Sequence, residues 1–170
     1  RKMNDIFAPN VDAKDNADLT AAAAANGDIT GTLDNGASFT FNLNDAKILD
    51  AENCARGADG ELPPRELFVR SGCERYTKVS VNGKEYYVYN EEDPDNMGTN
   101  YAIGSVGINQ ELVKQITLMP AYTANGAVDY EFGKKLAAAW EETDMRISPY
   151  DAKPCSLANY YDRVVIELGT

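Results

Sequence analysis

The stretch that decides the fold is YTKVSVNGKEYYVY, residues Tyr76–Tyr89. Two runs rich in β-branched and aromatic residues flank Asn82-Gly83, and residues of these types favour strands. Asn and Gly tolerate the positive φ that a two-residue hairpin turn requires. The sequence therefore predicts a β-hairpin with the arms Tyr76–Val81 and Lys84–Tyr89.

Further strands are expected around this hairpin. The segments Asp28–Leu33 and Ala37–Leu43 alternate apolar and polar residues on either side of Asp34-Asn35-Gly36, which predicts a second hairpin. The residues expected on its buried face are Leu33, Phe39, Phe41 and Leu43. Shorter strand signals are found at three places: Lys47–Leu49, Leu67–Val69 and Tyr101–Ile108.

Helix signals are concentrated in the second part of the chain. Three helices are expected, each behind a side chain that can cap its first turn: Gln110–Ile116 behind Asn109, Tyr130–Glu142 behind Asp129, and a last helix behind Ser156. Gly169 is typical of a helix end. Earlier in the chain, one helical turn is expected over Leu19–Ala25, with Asp18 as its cap.

These signals predict an α+β protein. Residues 1–100 would form a β-rich outer region that contains the hairpins, and residues 101–170 a mixed strand and helix region. A length of 170 residues is that of about one domain. Such a chain buries enough surface to fold without a disulfide or a metal.

Trp140, the only tryptophan, is expected to anchor the helical region. It shares a stripe with Phe132, Leu136 and Ala139, and such a stripe is normally the buried side of a helix. The last helix carries a comparable stripe for this one to face: Leu157, Tyr161, Val164, Val165 and Leu168. The alternative leaves Trp140 exposed on an assembly or sugar-binding surface, because Trp is common at interfaces.

Composition restricts the function. Sixteen Lys and Arg against 27 Asp and Glu give a net charge of −11, which argues against nucleic acid or an anionic membrane surface as a partner. It also predicts a soluble monomer, because like charges oppose self-association. No apolar run approaches the ~20 residues of a membrane span, and no signal peptide opens the chain.

The sequence contains no histidine. This excludes His general-base catalysis, His-paired nucleophiles and zinc sites that use imidazole. Gly-rich phosphate-binding motifs are absent as well. No catalytic, cofactor-binding or metal-binding residue is therefore assigned, no cofactor is expected, and the sequence favours a structural or binding protein over an enzyme.

The cysteines leave two interpretations open. Cys54, Cys73 and Cys155 are widely spaced and form no Cys-x-x-Cys pair, so they would make a poor metal cage. They are either three buried or unreactive thiols, or they include a Cys54–Cys73 bridge within one loop-rich region.

Two other groups of residues have a functional and a structural interpretation. Two acidic loops could bind calcium or simply be solvated: one with Asp12, Asp15, Asn16 and Asp18, the other with Glu91, Glu92, Asp93, Asp95 and Asn96. The run from Tyr86 to Tyr89 could form a platform that stacks on sugar. Alternatively, Tyr87 and Tyr89 face one side of a strand, Tyr86 and Val88 face the other, and the rings pack inside.

The order of motifs in the second part is more specific. It begins with Tyr101-Ala102-Ile103-Gly104, followed by Val106-Gly107-Ile108-Asn109-Gln110-Glu111-Leu112, which contains an Ile-Asn-x-x-Leu element. It continues through Gly126-Ala127-Val128-Asp129-Tyr130, Leu136-Ala137, Trp140, Ser156-Leu157 and Tyr160-Tyr161 to Ile166-Glu167-Leu168-Gly169. This order resembles the carboxy-terminal half of the FlgK family of bacterial flagellar hook-associated proteins, which form the hook–filament junction. Where that family usually continues towards Pro-x-x-Ile-Ala-Ala, this chain has Ile116-Thr117-Leu118-Met119-Pro120.

The resemblance covers Tyr101–Gly169 and implies a structural protein that joins hook to filament outside the cell. It implies other flagellar axial proteins as partners, namely the hook protein and the second junction protein. It also implies export without a cleavable signal peptide. The family's terminal heptad helices are absent, which implies a trimmed fragment that carries the outer domains. The alternative is a secreted or cell-surface carbohydrate-binding module that would use the Tyr86–Tyr89 strand.

Overall fold

The computed structural model describes residues 1–102, 104–143 and 154–168. Within these residues it contains five α-helices: α1 (Lys2–Phe7), α2 (Ala17–Ala22), α3 (Gln110–Lys114), α4 (Tyr130–Glu141) and α5 (Leu157–Leu168). It also contains eight strands: β1 (Asn10–Asp12), β2 (Asp28–Thr32), β3 (Ser38–Asn42), β4 (Lys47–Leu49), β5 (Phe68–Arg70), β6 (Tyr76–Val81), β7 (Lys84–Tyr89) and β8 (Val106–Ile108). The predicted α+β class is confirmed.

Six strands form the main sheet, in the order β1-β4-β7-β6-β2-β3, and every pairing is antiparallel. The predicted hairpin of β6 and β7 lies at its centre, with Asn82 and Gly83 at φ values of 51° and 79°. The predicted hairpin of β2 and β3 joins it through Thr32, which pairs with Ser80. β5 and β8 form a separate two-stranded sheet.

The two hairpins approach each other closely at Gly31. A Cβ atom there would lie 2.2 Å from Cγ1 of Val79 and 2.8 Å from the main-chain oxygen of Ser80. A side chain at this position would displace the neighbouring strand, so β2 requires glycine where it crosses β6.

The main sheet carries a core on each face, because successive side chains of a strand point to opposite sides. One core contains Leu19, Phe41, Leu43, Ile48 and residues of β6 and β7 that include Tyr86 and Val88. The other contains Phe7, Leu49, Tyr76, Tyr89 and Phe132, with Tyr87 packed beside it. The predicted division of Tyr86 and Val88 from Tyr87 and Tyr89 is confirmed, as is the burial of Phe41 and Leu43.

The amino-terminal part contains one helix that was not predicted and one cap that differs from the prediction. The first residues form α1, whose Phe7 packs edge-to-face on Phe132 of α4 with the ring centroids 5.8 Å apart. The cap of α2 is Asn16 rather than Asp18, because Oδ1 of Asn16 accepts from the amide of Leu19 at 3.1 Å. Asp18 instead forms an ion pair with Lys84 of the central hairpin.

In the second part, the three predicted caps are confirmed. The side chains of Asn109, Asp129 and Ser156 each accept from an amide in the first turn of the helix that follows. Two bounds are wrong. α3 ends at Lys114 rather than at Ile116, and a separate 3-10 turn covers Ile116–Leu118. α4 ends at Glu141, one residue before the predicted end.

The strand expected over Tyr101–Ile108 is reduced to β8. A turn precedes β8, because the amides of Ser105 and Val106 both donate to the carbonyl of Ala102, and Gly104 has a φ of 98°. The expected strand at Leu67–Val69 lies one residue later, as β5. Ile103, inside the expected strand, and Gly169, the expected helix end, lie outside the described residues.

No helix among the described residues combines the length and the apolar character needed to cross a membrane.

Candidate functional site

Asn4 ties α1 to the segment that leads into β5. It is fully buried, and its Nδ2 donates to Oε1 of Glu66 at 3.1 Å and to the carbonyl of Phe68 at 2.7 Å. Its Oδ1 accepts from the amides of Leu67 and Phe68, at 3.0 and 3.3 Å. The side chain of Asn4 thus forms hydrogen bonds with main-chain groups along one edge of β5.

Arg75 is the second buried link between α1 and the sheet. It is 2% exposed and donates to Oδ1 of Asp5 at 2.6 Å and to the carbonyl of Ala8 at 3.2 Å. Its other nitrogens donate to the hydroxyls of Tyr76 and Tyr101, both at 3.2 Å. Burial raises the pKa of Tyr76 to about 12, so this phenol stays protonated at neutral pH.

Arg70 is buried without a carboxylate partner among the described residues. It is 5% exposed, and Nη1 donates to the carbonyls of Asn90 and Thr99, each at 2.9 Å. Nη2 donates to the carbonyl of Glu74 at 3.3 Å, and Nε is buried without a partner. The charge lies 5.1 Å from the ring centroid of Tyr101 and 5.7 Å from that of Tyr89, so aromatic faces take the place of an ion pair.

Glu66 lies beside these arginines and is 9% exposed. Its Oε1 accepts from Asn4 and, at 2.7 Å, from the hydroxyl of Tyr101. Burial raises the pKa of Glu66, although the hydrogen bond from Tyr101 and the charges of Arg75 and Arg70 act in the opposite direction. Its second oxygen, Oε2, accepts no hydrogen bond from the described residues.

Glu66, Arg70 and Arg75 form one wall of a cleft of about 690 Å³. The segment Leu62-Pro63-Pro64 and Val69 supply apolar surface, and Glu66, Arg70 and Arg75 lie on the buried side. Three exposed carboxylates lie at the rim: Glu61, Glu74 and Glu111. We refer to this feature as the Glu66 cleft.

The three cysteines are free thiols in the structure. Cys54 is buried, and burial raises the pKa of its thiol. Cys73 is half-buried and lines the Glu66 cleft, whereas Cys155 precedes α5. The Cys54–Cys73 bridge considered from the sequence is not formed.

The acidic loops use several of their side chains within the protein. Asp12 forms an ion pair with Lys14, Asp18 with Lys84 and Glu92 with Arg1, while Asn16 caps α2. Within the described ranges, no group of three or more acidic or thiol side chains lies close enough together to hold a metal ion.

The tyrosine run of β7 is mostly internal. Tyr86 and Tyr89 are buried in the two opposite cores, and Tyr87 is half-buried. Stacking on a sugar needs an accessible ring face, and neither Tyr86 nor Tyr89 offers one. The structural interpretation of this run is confirmed.

Trp140 is 44% exposed, so the expectation that it anchors the helical region is wrong. Phe132 and Ala139 are the buried residues of α4. At 3.6 residues per turn, Trp140 lies about 100° around the helix from Ala139. It therefore falls at the edge of the stripe, beyond the arc that reaches the core.

The apolar stripe of α5 is also exposed where its side chains are described. Tyr161 is 64% exposed and Val165 is half exposed, and we refer to these two residues as the α5 apolar face. Ile166, which lies outside the predicted stripe, is 65% exposed. The side chains of Leu157, Val164 and Leu168, which belong to the predicted stripe, lie outside the described set.

Comparison with known proteins found no matching family model, no matching curated protein and no matching solved structure.

Neither the Glu66 cleft nor the α5 apolar face was assigned from the sequence. The cleft joins residues from two segments that are distant in sequence, 61–76 and 109–111, and no local motif marks it. The exposure of Trp140 could have been found from the sequence, because the alternative interpretation placed this residue on an assembly surface.

Proposed function

We propose that this chain is a non-enzymatic structural protein of an extracellular assembly, and that the assembly is the hook–filament junction of the bacterial flagellum. The order of motifs from Tyr101 onward supports the identity of the assembly. The observation that carries an assembly role is the exposure of Trp140 together with the α5 apolar face.

Trp140 and the α5 apolar face lie on α4 and α5, two helices that contact each other, and large exposed apolar side chains are common at protein-binding surfaces. Here they contrast with a sequence whose net charge is −11. A helix that presents Tyr161 and Val165 one turn apart offers a stripe suited to another helix. The proposed occupants are helical segments of the neighbouring axial proteins.

α4 is held firmly enough to present Trp140 in a fixed direction. Phe132 packs on Phe7 inside the second core, and Glu142, just after α4, forms an ion pair with Lys2 at the start of α1. The helix is thus fixed near both ends, and a surface held in this way binds with a smaller loss of conformational entropy.

The carbohydrate-binding alternative depended on the tyrosine run of β7. Because Tyr86 and Tyr89 are buried, the half-buried Tyr87 is the one ring of this run that is partly accessible. The assembly role is therefore the proposal that we develop.

Deletion of the encoding gene from its source organism tests this proposal. Cells that lack the protein should keep their hooks, lose their filaments and shed unattached flagellin into the medium. Complementation with the whole gene should restore filaments. Cells that carry normal filaments after the deletion would rule out the junction role.

A double substitution tests the proposed surface. Trp140→Ser combined with Tyr161→Ser should leave the protein folded and exported but unable to restore filaments. Met97→Ser is the matched control, because Met97 is 65% exposed and belongs to neither α4 nor α5, and it should complement fully. Full complementation by the double variant would contradict a role for this surface.

A further inference from the structure

The Glu66 cleft plays no part in the proposed assembly role, and a ligand bound there would be independent of that role. Its volume of about 690 Å³ lies within the range of small-molecule sites. It combines an apolar wall with a few ionisable groups, which is the usual composition of such sites.

The cations of the cleft already have partners. The guanidinium nitrogens of Arg75 donate to Asp5, Ala8, Tyr76 and Tyr101. Arg65 forms ion pairs with Asp59 at 3.0 Å and Glu111 at 3.4 Å. Arg70 donates to three main-chain carbonyls, and its unpartnered Nε is out of reach of solvent.

The anions of the cleft, in contrast, keep free acceptors. Oε2 of Glu66 accepts no hydrogen bond from the described residues, and it is not among the polar atoms that are buried without a partner. Glu66 lines the cleft and is 9% exposed, and we infer that Oε2 is the atom that it presents to the cleft. At the rim, the carboxylates of Glu61 and Glu74 form no ion pair or hydrogen bond with described residues.

Charge balance favours a cationic ligand. Asp5 and Glu66 together offset Arg70 and Arg75, and Arg65 is outnumbered by Asp59 and Glu111. The rim carboxylates of Glu61 and Glu74 remain as a negative excess. No three acidic or thiol groups of the described chain converge as metal ligands would, so the separated carboxylates suit an organic cation better than a metal ion.

We propose that the Glu66 cleft binds a primary ammonium group carried on an aliphatic stem. The ammonium donates to Oε2 of Glu66, and the stem lies against Leu62 and Val69. A second ammonium on the same stem would reach the rim carboxylates of Glu61 and Glu74. This chemistry is found both in free diamines and in the side chain of lysine.

Isothermal titration calorimetry on the whole chain tests the proposal with two cationic probes, 1,5-diaminopentane and N-acetyl-lysine-methylamide. Glutarate, an anionic probe of similar length, and 1-pentanol, an uncharged one, are the controls. Heat of binding is expected for one or both cations and for neither control. Binding should weaken as salt is added, because part of the attraction is electrostatic.

Glu66→Gln identifies the acceptor. The amide oxygen of glutamine can still accept from Asn4 and Tyr101, so the variant should fold. Its affinity for the cationic probes should fall at least about tenfold, as expected for the loss of a charge-assisted hydrogen bond. Glu91→Gln, which removes one exposed charge outside the cleft, should change the affinity less than about twofold.

Glu61→Gln combined with Glu74→Gln tests the rim without touching a buried group. This pair should weaken the diamine more than the lysine derivative, because only the diamine has a second ammonium. Binding of the diamine alone identifies a free diamine as the ligand, and binding of the lysine derivative alone identifies a peptide side chain. Absence of binding by both, equal affinity in Glu66→Gln, or binding of glutarate instead would overturn the proposal.

Discussion

The main sheet and the helices of the second part bury their apolar residues to very different extents. Ile29 and Val79 in the sheet are almost completely buried, whereas Trp140 on α4 and Tyr161 on α5 are exposed by 44% and 64%. Both regions have clear apolar periodicity. The difference shows that periodicity identifies which residues share a face but not whether that face is covered.

The cause is the number of elements that pack against each region. The sheet has α2 over one face and α1 with α4 over part of the other, so alternating residues are buried on both sides. α4 contacts the body through a narrow arc that contains Phe132 and Ala139. Side chains beyond that arc, including Trp140, have no core to enter.

The largest expected difference between a buried and an exposed apolar residue is that between Phe132 and Trp140. Phe132→Ala should reduce the free energy of unfolding by about 3–5 kcal/mol, because it removes a buried ring and leaves a cavity beside Phe7. Trp140→Ala, on the same helix, should cost less than about 1 kcal/mol. Urea unfolding followed by far-ultraviolet circular dichroism measures both. Equal losses in the two variants would show that Trp140 is also in the core.

Substitution of Asn4 tests whether α1 is packed firmly against the segment that leads into β5. Asn4→Ala should cost about 2–3 kcal/mol, because it leaves partly buried main-chain groups of Leu67 and Phe68 without partners and removes a hydrogen bond to the buried Glu66. Asn125→Ala, at an exposed position, should change stability by less than about 0.5 kcal/mol. A loss for Asn4→Ala as small as that of the control would mean that α1 is not locked to β5.

Substitution by alanine is expected to change the stability in opposite directions at Gly31 in the sheet and at Gly133 in α4. Gly31→Ala should destabilise the protein by about 1–3 kcal/mol, since the new Cβ overlaps Val79. Gly133→Ala in α4, where a Cβ meets nothing within 4 Å, should stabilise it by about 0.5–1 kcal/mol through helix propensity. Thermal unfolding of both variants decides. Stabilisation by Gly31→Ala would contradict the close crossing of β2 and β6.

The strands of the two main hairpins and the starts of α3 and α4 were predictable, because the sequence signals for them are local. The Asn82-Gly83 turn and the alternation beside it specify the central hairpin, and the side chains of Asn109 and Asp129 mark the helix starts they cap. α1 was not predictable, since its stability depends on Phe132 and Glu66, which are distant in sequence. The Glu66 cleft was not predictable either, because its lining residues come from two segments that only the tertiary fold brings together.

The pH dependence of stability separates Glu66 from the exposed acids. Because burial raises its pKa in the folded state, Glu66 contributes most to stability below its unfolded pKa, and this contribution is lost as the pH rises through the folded value. Glu66→Gln should therefore match the parent at low pH and become more stable than it towards neutral pH.

Thermal unfolding of the two proteins between acidic and neutral pH tests this expectation. Glu91→Gln, which removes an exposed charge, controls for the change in net charge. A difference between Glu66→Gln and the parent that stays constant with pH would show that Glu66 is not perturbed by burial.

The central claim is that the main sheet is covered by helices while α4 and α5 expose apolar side chains. The fluorescence of Trp140, the only tryptophan in the chain, tests it most directly. In the folded protein its emission should already be red-shifted, acrylamide should quench it readily, and unfolding in urea should change both little. Blue-shifted emission that resists acrylamide until the protein unfolds would place Trp140 in a core and contradict the account.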